Sequence, residues 1–407
     1  ALMYIYMGHM GFEQTKPYED WFWKKNKIDL IRAYVTDIDT EFKRLHLKDG
    51  RIISYDKLLI ATGSKSNKFG WPGQDLPGVQ GLYSYQDLEL LEANTQNISR
   101  AVIVGGGLIG IELAEMLLSR HIPVTFLVRE HFYWDNVLPM DEARLISNHV
   151  REHGIDLRLK TNLKAILPDE TGRVRAVVTE YDEEIPCQFV GLTPGVHPNI
   201  DLAKTTKVET SRGILVNDYL ETNIPDVYAA GDCAEIIVEG EQRNRIEQLW
   251  YTARKQGAAV AKTICGSRTE YEKGIWFNSA KFFDIEYQTY GFVNNIRRDE
   301  EESFYWEHPA GKHCARFVCK KDTKTLVGMN FFGMRMRHSV CDSWIREGKT
   351  LEYVLQHLPA ANFDPEFFKK YEGQIIESYN QQNGRQLKLK DRSGLFSKIF
   401  TANYAGA

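Results

Sequence analysis

The pattern of apolar and polar positions divides the chain into segments of different predicted structure. Between residues 100 and 128, the apolar run AVIV is followed by a glycine-rich turn, by apolar positions at helical spacing and by a second apolar run. A strand, a turn, a helix and a strand within about 30 residues predict a right-handed parallel βαβ unit. Apolar strands that end in glycine are predicted at YDKLLIATGS, residues 55–64, and at DVYAAGD, residues 226–232, and helices at 84–94 and 248–264.

Residues 270–356 show a different pattern. The runs FNSAKFFDIEYQTYGFV, ESFYWEH and ARFVCKKDTKTLVGMNFFG alternate between apolar and polar positions, which predicts antiparallel strands joined by hairpin turns. The rest of the chain resembles a helix followed by a basic tail. The pattern as a whole predicts an α/β protein with a β-rich domain near its C-terminus.

The composition limits the function classes. The 407 residues include 51 Lys and Arg and 55 Asp and Glu, which gives a net charge of −4. This mild acidic excess creates no positive field, so we predict no nucleic-acid partner. The most apolar stretch, residues 101–118, contains Glu112, Glu115 and four glycines, so we predict no transmembrane segment.

The six cysteines are scattered and have neither C-x-x-C nor zinc spacing, as expected of reduced thiols in a cytoplasmic protein. We therefore predict no metal site. Cys314 and Cys319 have the C-x4-C spacing of a redox disulfide. An offset of five places them on opposite faces of a strand, however, which favours ordinary packing.

The strongest local motif is Gly105-x-Gly107-x-x-Gly110, between a predicted strand and a predicted helix. The first glycine permits the tight turn, the second lets the backbone approach a pyrophosphate, and the third lets the helix pack closely on the strand. The helix start, with Leu108 and Ile109, offers N–H groups to the phosphates. The motif therefore predicts dinucleotide binding, with a plain structural turn as the alternative.

Two charged residues follow the second strand of this unit, where an adenine ribose would be held. Glu130 could accept hydrogen bonds from ribose hydroxyls, which favours NAD. Arg129 could pair with a 2′-phosphate, which favours NADP. Both could also be solvated surface residues, so the sequence leaves the preference between NAD and NADP open.

Four motifs together resemble a known family. YDKLLIATGS (55–64), IVGGGLIGIELAEML (103–117), VGLTPGVHPN (190–199) and TNIPDVYAAGDCA (222–234) occur in the order found in FAD-dependent pyridine nucleotide-disulfide oxidoreductases. The chain is most similar to the branch with NADH oxidases, rubredoxin and ferredoxin reductases and the flavoprotein part of nitrite reductases. The resemblance implies two doubly wound, Rossmann-like domains that bind FAD and NAD(P)H, and a C-terminal α+β domain that forms a homodimer interface.

The resemblance also divides the chain into five parts. They are the first part of the FAD-binding domain (1–97), the NAD(P)H-binding domain (98–215), the return segment of the FAD-binding domain (216–268), the interface domain (269–356) and a helical and basic tail (357–407).

Residues at matched positions take roles from the resemblance. On the flavin side, Ala61, Thr62 and Gly63 would lie against FAD, and Gly231 would let the backbone reach the flavin pyrophosphate. Asp232 would accept hydrogen bonds from hydroxyl groups of the cofactor. The alternatives for these residues are a strand-end turn and a helix cap.

On the nicotinamide side, Glu112 would orient the carboxamide and Gly195 would border the ring. Glu112 is not expected to transfer a proton, because hydride passes directly from nicotinamide to flavin. It could otherwise be an acid favoured by the helix dipole. Gln248 and Trp250 would lie beside the flavin at a helix start, and the backbone of Val35 would hold the adenine.

The chain departs from the family pattern in two ways. It begins at ALMYIYMGHM, without the strand and glycine-rich turn that open the FAD-binding half, so we expect these residues alone to bind FAD weakly. Residues 1–186 contain no cysteine, so the residues given do not support a disulfide-reducing mechanism.

The resulting prediction is an FAD-dependent NAD(P)H oxidoreductase that passes electrons to a small rubredoxin- or ferredoxin-type carrier or a small-molecule acceptor. One alternative is an NADH oxidase or CoA-disulfide reductase with a cysteine outside these residues, and another is a redox-sensing, NAD-binding flavoprotein scaffold. The tail could dock an acidic carrier, touch a membrane surface or be a solvated segment. Its charged residues are Arg385, Lys388, Lys390, Asp391, Arg392 and Lys398.

Overall fold

The computed structural model describes residues 1–238, 240, 243–363 and 369–390. The chain forms two compact units. The first contains residues 1–127 and 161–273, and the second contains residues 128–160 and the chain from 274 onward. The part of the predicted basic tail from residue 391 lies outside the described residues.

The helices of the described chain are numbered in sequence order. They are α1 (Leu2–Tyr6), α2 (Asp20–Lys25), α3 (Tyr85–Asn94), α4 (Leu108–Ser119), α5 (Met140–Glu152), α6 (Asp201–Lys204), α7 (Trp250–Ile264), α8 (His338–Arg346), α9 (Leu351–Ala361) and α10 (Glu372–Asn383). Within the described residues, none of these helices combines the length and apolar character that a membrane-spanning helix needs.

The strands are numbered in the same way. They are β1 (Val35–Asp39), β2 (Arg44–Leu47), β3 (Ile52–Ser54), β4 (Leu58–Ile60), β5 (Ser64–Ser66), β6 (Val79–Gln80), β7 (Ala101–Val104), β8 (Val124–Val128), β9 (Asp156–Leu159), β10 (Leu163–Pro168), β11 (Val174–Thr179), β12 (Glu184–Pro186), β13 (Phe189–Leu192), β14 (Val196–Pro198), β15 (Ile214–Val216), β16 (Val227–Ala229), β17 (Ala234–Ile236), β18 (Arg245–Ile246), β19 (Phe277–Phe282), β20 (Ile285–Gly291), β21 (Glu301–Glu307), β22 (Cys314–Lys320) and β23 (Leu326–Phe332).

A parallel sheet in the first unit confirms the predicted βαβ arrangement. Its strands follow the order β6-β13-β7-β8, with Ala101 opposite both Val124 and Phe189. All four residues of β7 are buried, because α4 packs on β7 and β13. A continuous apolar run is expected for a parallel strand covered on both faces. The stretch that is most apolar in the sequence is therefore a buried strand and a short helix.

The first unit has a second apolar core around the parallel strands β4 and β16. Leu58 pairs with Val227, and Ile60 pairs with Ala229. The two glycine-ended strands predicted from sequence are therefore neighbours, and their carboxyl ends lie side by side. Ligands of open α/β sheets bind at this end of parallel strands.

The second unit contains an antiparallel sheet in the order β19-β20-β23-β22-β21, as the alternating pattern predicts. The alternation ends at Phe332, and the helices α8 and α9 follow, which the sequence pattern did not predict. Helices α8 to α10 pack on the sheet and bury an aromatic-rich core. Cys314 and Cys319 are both buried free thiols on β22, which confirms their role in packing.

A buried ion pair in the second unit joins α5 to the sheet. Glu142 is fully buried and accepts hydrogen bonds from Arg316, from Nε to Oε1 at 2.6 Å and from Nη2 to Oε2 at 2.8 Å. The same guanidinium donates to Asp141 Oδ2 at 2.7 Å. Burial raises the pKa of Glu142, and the hydrogen bonds from Arg316 offset this only in part.

We expect Arg316→Met to destabilise the protein by about 3–5 kcal/mol, because the substitution leaves a buried carboxylate without its cation. The raised folded-state pKa of Glu142 means that protonation below its unfolded pKa favours the folded form. The loss should therefore be smaller at pH 5 than at pH 7. Urea unfolding of the wild type and the variant at both pH values measures the loss of stability.

The control is Arg144→Met, because Arg144 is half exposed and its guanidinium lies 3.4 Å from Glu307. An exposed pair of this kind contributes about 0–1 kcal/mol. Equal losses in the two variants would contradict the proposed importance of the buried pair.

Candidate functional site

The glycine-rich turn between β7 and α4 requires glycine at two positions for close packing. Gly105 has φ +114°, and a Cβ there would lie 2.6 Å from the carbonyl oxygen of Thr193. A Cβ on Gly110 would lie 2.7 Å from the carbonyl oxygen of Gly105. The turn, the helix and the chain after β13 are therefore too close together for any side chain to fit between them.

The second glycine of the motif faces open space. Gly107 is the residue before α4, in extended backbone with φ −115°, and a Cβ there would have no described atom within 4 Å. Leu108 and Ile109, the first residues of α4, are half-buried. A helix N-terminus with open space beside it fits the pyrophosphate of a dinucleotide.

Glu112 lies on the outward side of α4, near the glycine-rich turn. Its side chain reaches solvent, yet desolvation by surrounding protein atoms raises the pKa of its carboxyl, and Glu115 adds to this effect. Its contact with nicotinamide stays a prediction.

Arg129 and Glu130 follow β8 and belong to the second unit. Arg129 Nε donates to Glu130 Oε1 at 2.8 Å, so the two residues that gave opposite predictions of cofactor preference are paired. The arginine side chain is 73% exposed and the glutamate side chain is 17% exposed. Their contacts with ribose stay predictions.

A short antiparallel ribbon brings the flavin-side and nicotinamide-side motifs together in the first unit. It is formed by β5 and β14, in which Ser66 pairs with Val196. At one end, the N–H of Asn199 donates to the carbonyl of Gly63 at 2.8 Å. At the other end, the N–H of Asn67 donates to the carbonyl of Gly195 at 3.0 Å. Two predicted site glycines, 132 positions apart, therefore lie on one ribbon.

The ribbon also links the predicted flavin side to the glycine-rich turn. Thr62 Oγ1 donates to the carbonyl of Asn199 at 2.6 Å, and Ala61 follows the end of β4. At the other end of the same segment, the N–H of Thr193 donates to the carbonyl of Val104 at 2.8 Å. Residues 193–199 therefore run from the turn before α4 to the strand that leads to Gly63.

A polar network surrounds Asp232, which follows β16. Its Oδ2 accepts hydrogen bonds from Ser64 Oγ at 3.0 Å and from the Tyr83 hydroxyl at 3.2 Å. Gln248 Nε2 donates to Ser64 Oγ at 2.8 Å, and the N–H of Ser64 donates to the Tyr83 hydroxyl at 2.8 Å. The network therefore joins Asp232 to Gln248 through Ser64, and Tyr83, which was not among the predicted site residues, completes it. Contacts of Asp232 and Gln248 with flavin stay predictions.

A second set of residues holds the backbone before Asp232, and the sequence reasoning missed it. Gln256 on α7 accepts a hydrogen bond from the N–H of Gly231 at 2.7 Å. Its Nε2 lies 3.4 Å from Glu247 Oε2, which also accepts a hydrogen bond from the Tyr271 hydroxyl at 2.6 Å. Gln256 is a polar residue on the buried face of α7. A polar residue on that face is the one feature of the sequence that could have identified it.

The start of α7 lies beside this network and presents an exposed aromatic ring. Trp250 is the first residue of α7 and is 67% exposed. Within the described chain, no side chain caps this helix end. Val35 opens β1 and packs its side chain against the neighbouring core, so its backbone contact with adenine stays a prediction.

These residues form a donor and acceptor set that fits part of an FAD molecule. Asp232 Oδ1 takes no hydrogen bond from the described residues and is available to cofactor hydroxyls. The N-terminus of α7 suits the negative charge that a reduced flavin develops. The exposed ring of Trp250 offers apolar surface for an aromatic group. The chain therefore provides residues for both predicted cofactors.

Comparison with known proteins supports the same assignment. Residues 12–257 match the family model described as pyridine nucleotide-disulphide oxidoreductase. The chain is 31% identical to NADH-rubredoxin oxidoreductase of Clostridium acetobutylicum, over 80% of this chain and 79% of that protein. It is 30% identical to a ferredoxin–NAD(P)(+) reductase of a Sphingomonas species, over 70% of this chain and 69% of that protein.

Other matches define how far these similarities extend. The chain is 30% identical to nitrite reductase [NAD(P)H] of Bacillus subtilis over 70% of its own length, but spans 36% of that longer protein. The crystal structure of the Clostridium acetobutylicum NADH:rubredoxin oxidoreductase aligns with a TM-score of 0.66 and 26% identity. That alignment covers 87% of this chain and 88% of the other.

We expect Gly107→Val to raise the KM for NAD(P)H at least about tenfold without lowering the melting temperature. The backbone at this position is extended and a Cβ there meets no described atom within 4 Å, so valine is accommodated, but its methyl groups occupy the space before α4. Steady-state kinetics and thermal unfolding measure the two effects. The matched control is Gly257→Val, also in open space in the first unit, and an unchanged KM in Gly107→Val would refute the assigned site.

We expect Asp232→Ala to lower the FAD content of the purified protein at least about tenfold, because the hydroxyls of Ser64 and Tyr83 lose their acceptor and the cofactor loses a carboxylate partner. The ratio of flavin absorbance to protein absorbance measures occupancy. The control is Asp201→Ala, which removes a surface carboxylate paired with Lys65. Equal flavin content in the two variants would argue against the Asp232 site.

Proposed function

Because the chain belongs to the pyridine nucleotide-disulphide oxidoreductase family, whose members use FAD and NAD(P)H, we propose that it passes electrons from NAD(P)H to a small rubredoxin- or ferredoxin-type carrier. The chain is an FAD-dependent NAD(P)H oxidoreductase. When bound, FAD supplies a hydride acceptor for nicotinamide and a donor of electrons to the next carrier. The residues of this chain bind and orient the two cofactors.

The observation that carries the proposal is the ribbon of β5 and β14. It places Gly63, beside the Asp232 network, and Gly195, beside the glycine-rich turn, in one hydrogen-bonded structure. Hydride transfer requires the two reacting rings to be held in contact and in the correct orientation. The ribbon fixes the flavin-side glycine relative to the nicotinamide-side glycine, which is the kind of constraint that this orientation needs.

The cysteine next to Asp232 is a poor redox thiol. This supports electron transfer to an external acceptor rather than to a thiol of these residues. Cys233 follows Asp232 and is fully buried. Burial raises the pKa of its thiol, and Sγ donates to the carbonyl of Ile60 at 3.5 Å. A protonated, buried thiol is a weak nucleophile. Cys233 is therefore a packing residue in this proposal.

The proposal of a small carrier protein rests on similarity to two of the relatives named above, a rubredoxin reductase and a ferredoxin reductase. We also propose a cytoplasmic location, which the six free thiols support, and a homodimer formed through the second unit. Size-exclusion chromatography with light scattering tests the homodimer, and a monomeric mass would contradict it.

The proposed function is tested by anaerobic mixing of the full-length protein with NADH and NADPH in parallel. We expect bleaching of the flavin absorbance by at least one of them, followed by rapid reoxidation when rubredoxin or ferredoxin is added. Dioxygen, a disulfide and CoA-disulfide serve as comparison oxidants. Faster reoxidation by a disulfide than by either carrier would favour the thiol-dependent alternative and contradict the proposal.

A further inference from the structure

Three side chains with metal-binding atoms meet in the second unit, away from the residues assigned to the cofactors. His149 and His153 lie one helical turn apart on the same face at the end of α5, and Asp284 lies in the turn between β19 and β20. His149 Nε2 is 2.7 Å from Asp284 Oδ1, and His153 Nε2 is 3.6 Å from the same oxygen. One ligand atom from each residue lies within 4.8 Å of the other two.

The environment of His149 points to a missing ligand. The residue is 1% exposed, and within the described part of the chain neither of its ring nitrogens makes a hydrogen bond. The short contact with Asp284 lacks the geometry of a hydrogen bond. Buried polar atoms are nearly always hydrogen-bonded or bound to an ion or water, because leaving them without a partner costs free energy.

The second histidine is oriented by a backbone hydrogen bond. His153 Nδ1 lies 2.9 Å from the carbonyl oxygen of His149. Because a carbonyl oxygen can only accept, Nδ1 is the donor in this hydrogen bond, and Nε2, the nitrogen nearer Asp284, is the one that faces the other two side chains. Metal-bound histidines are commonly fixed in this way, with the second ring nitrogen donating to a carbonyl or carboxylate.

The three side chains form a donor set that suits a transition metal. Two imidazole nitrogens and one carboxylate oxygen are the ligand types of an open zinc site.

Three further groups act on the cluster. Lys312 Nζ lies 3.0 Å from Asp284 Oδ2, so it pairs with the oxygen that does not face His149, and its positive charge opposes a metal ion. Glu152 Oε2 lies 3.6 Å from His149 Nδ1, which is too far for a hydrogen bond, and adds a negative charge near the ring. Phe283 stacks on His153 at 4.1 Å between ring centroids and limits the movement of that ring.

We propose that His149, His153 and Asp284 bind one divalent transition-metal ion, with zinc as the expected occupant, and that the ion ties the end of α5 to the β19–β20 turn. Sequence spacing could not predict this site, because the third ligand is 131 positions beyond the second. The two histidines alone have the i and i+4 spacing that many buried helix faces show. With three protein ligands, a fourth position is open to water or an external ligand.

The test uses the full-length flavoprotein, treated with a chelator and then titrated with Zn²⁺. Calorimetry and metal analysis should find one zinc per chain in the wild type, with micromolar or tighter affinity. His153→Gln and Asp284→Asn should each weaken binding at least about tenfold. Lys312→Met should strengthen binding, because it removes the opposing charge. Zinc should raise the melting temperature of the wild type and of Lys312→Met more than that of His153→Gln or Asp284→Asn.

The matched control is His357→Gln. His357 also lies on a helix of the second unit, with its Nδ1 2.6 Å from the carbonyl of the residue four positions earlier, but it belongs to no described cluster of metal-binding residues. This variant should bind zinc like the wild type. Absence of zinc binding by the wild type, or equal affinity in His153→Gln, Asp284→Asn and the wild type, would overturn the proposal. Reduction of flavin by NADH, measured in the same variants, reports on the proposed function separately.

Discussion

The backbone hydrogen bonds between β5 and β14 are the constraint on which the rest of the site depends. Each strand of this ribbon is only three residues long. Short two-stranded ribbons have little stability of their own. This one is anchored at both ends, by Asn199 on Gly63 and by Asn67 on Gly195, and by the close packing of Gly105 on Thr193. These backbone contacts hold the predicted flavin-side glycine and the predicted nicotinamide-side glycine in one structure.

Much of the fold could be predicted from the sequence, because its strongest signals are local. The run AVIV, the glycine-rich turn and the apolar spacing of α4 are continuous in sequence, and the structure confirms them as a parallel βαβ unit. The alternating runs between Phe277 and Phe332 likewise formed strands, since period-two alternation places one face on the core. The helices α8 and α9 were not predicted. Both begin within residues 270–356, and the alternating runs in that region led to a prediction of strands throughout it.

The site was predicted less completely than the fold. Asp232 and Gln248 were identified from the resemblance, yet the residues that join them, Ser64 and Tyr83, carry no local signal and meet only in the folded chain. The same holds for Gln256, whose role in holding Gly231 follows from helix packing. For Glu112, the sequence showed its position near the start of α4. The desolvation that raises the pKa of its carboxyl depends on the surrounding segments, which the sequence did not show. Long-range polar contacts are set by topology, which residue spacing does not encode.

The parallel pairing of β4 with β16 has a consequence for how the chain is made. The two strands lie roughly 170 positions apart, so at roughly 5–20 residues per second the ribosome completes the second one roughly 10–30 s after the first. During this interval β4 lacks the partner strand β16, although the adjoining glycine-turn region already has the residues for its own sheet. Pairings between strands so far apart in sequence carry a large loop-closure cost and form slowly. The strand pair that carries the two glycine-ended motifs is therefore expected to form later in folding than the local βαβ unit.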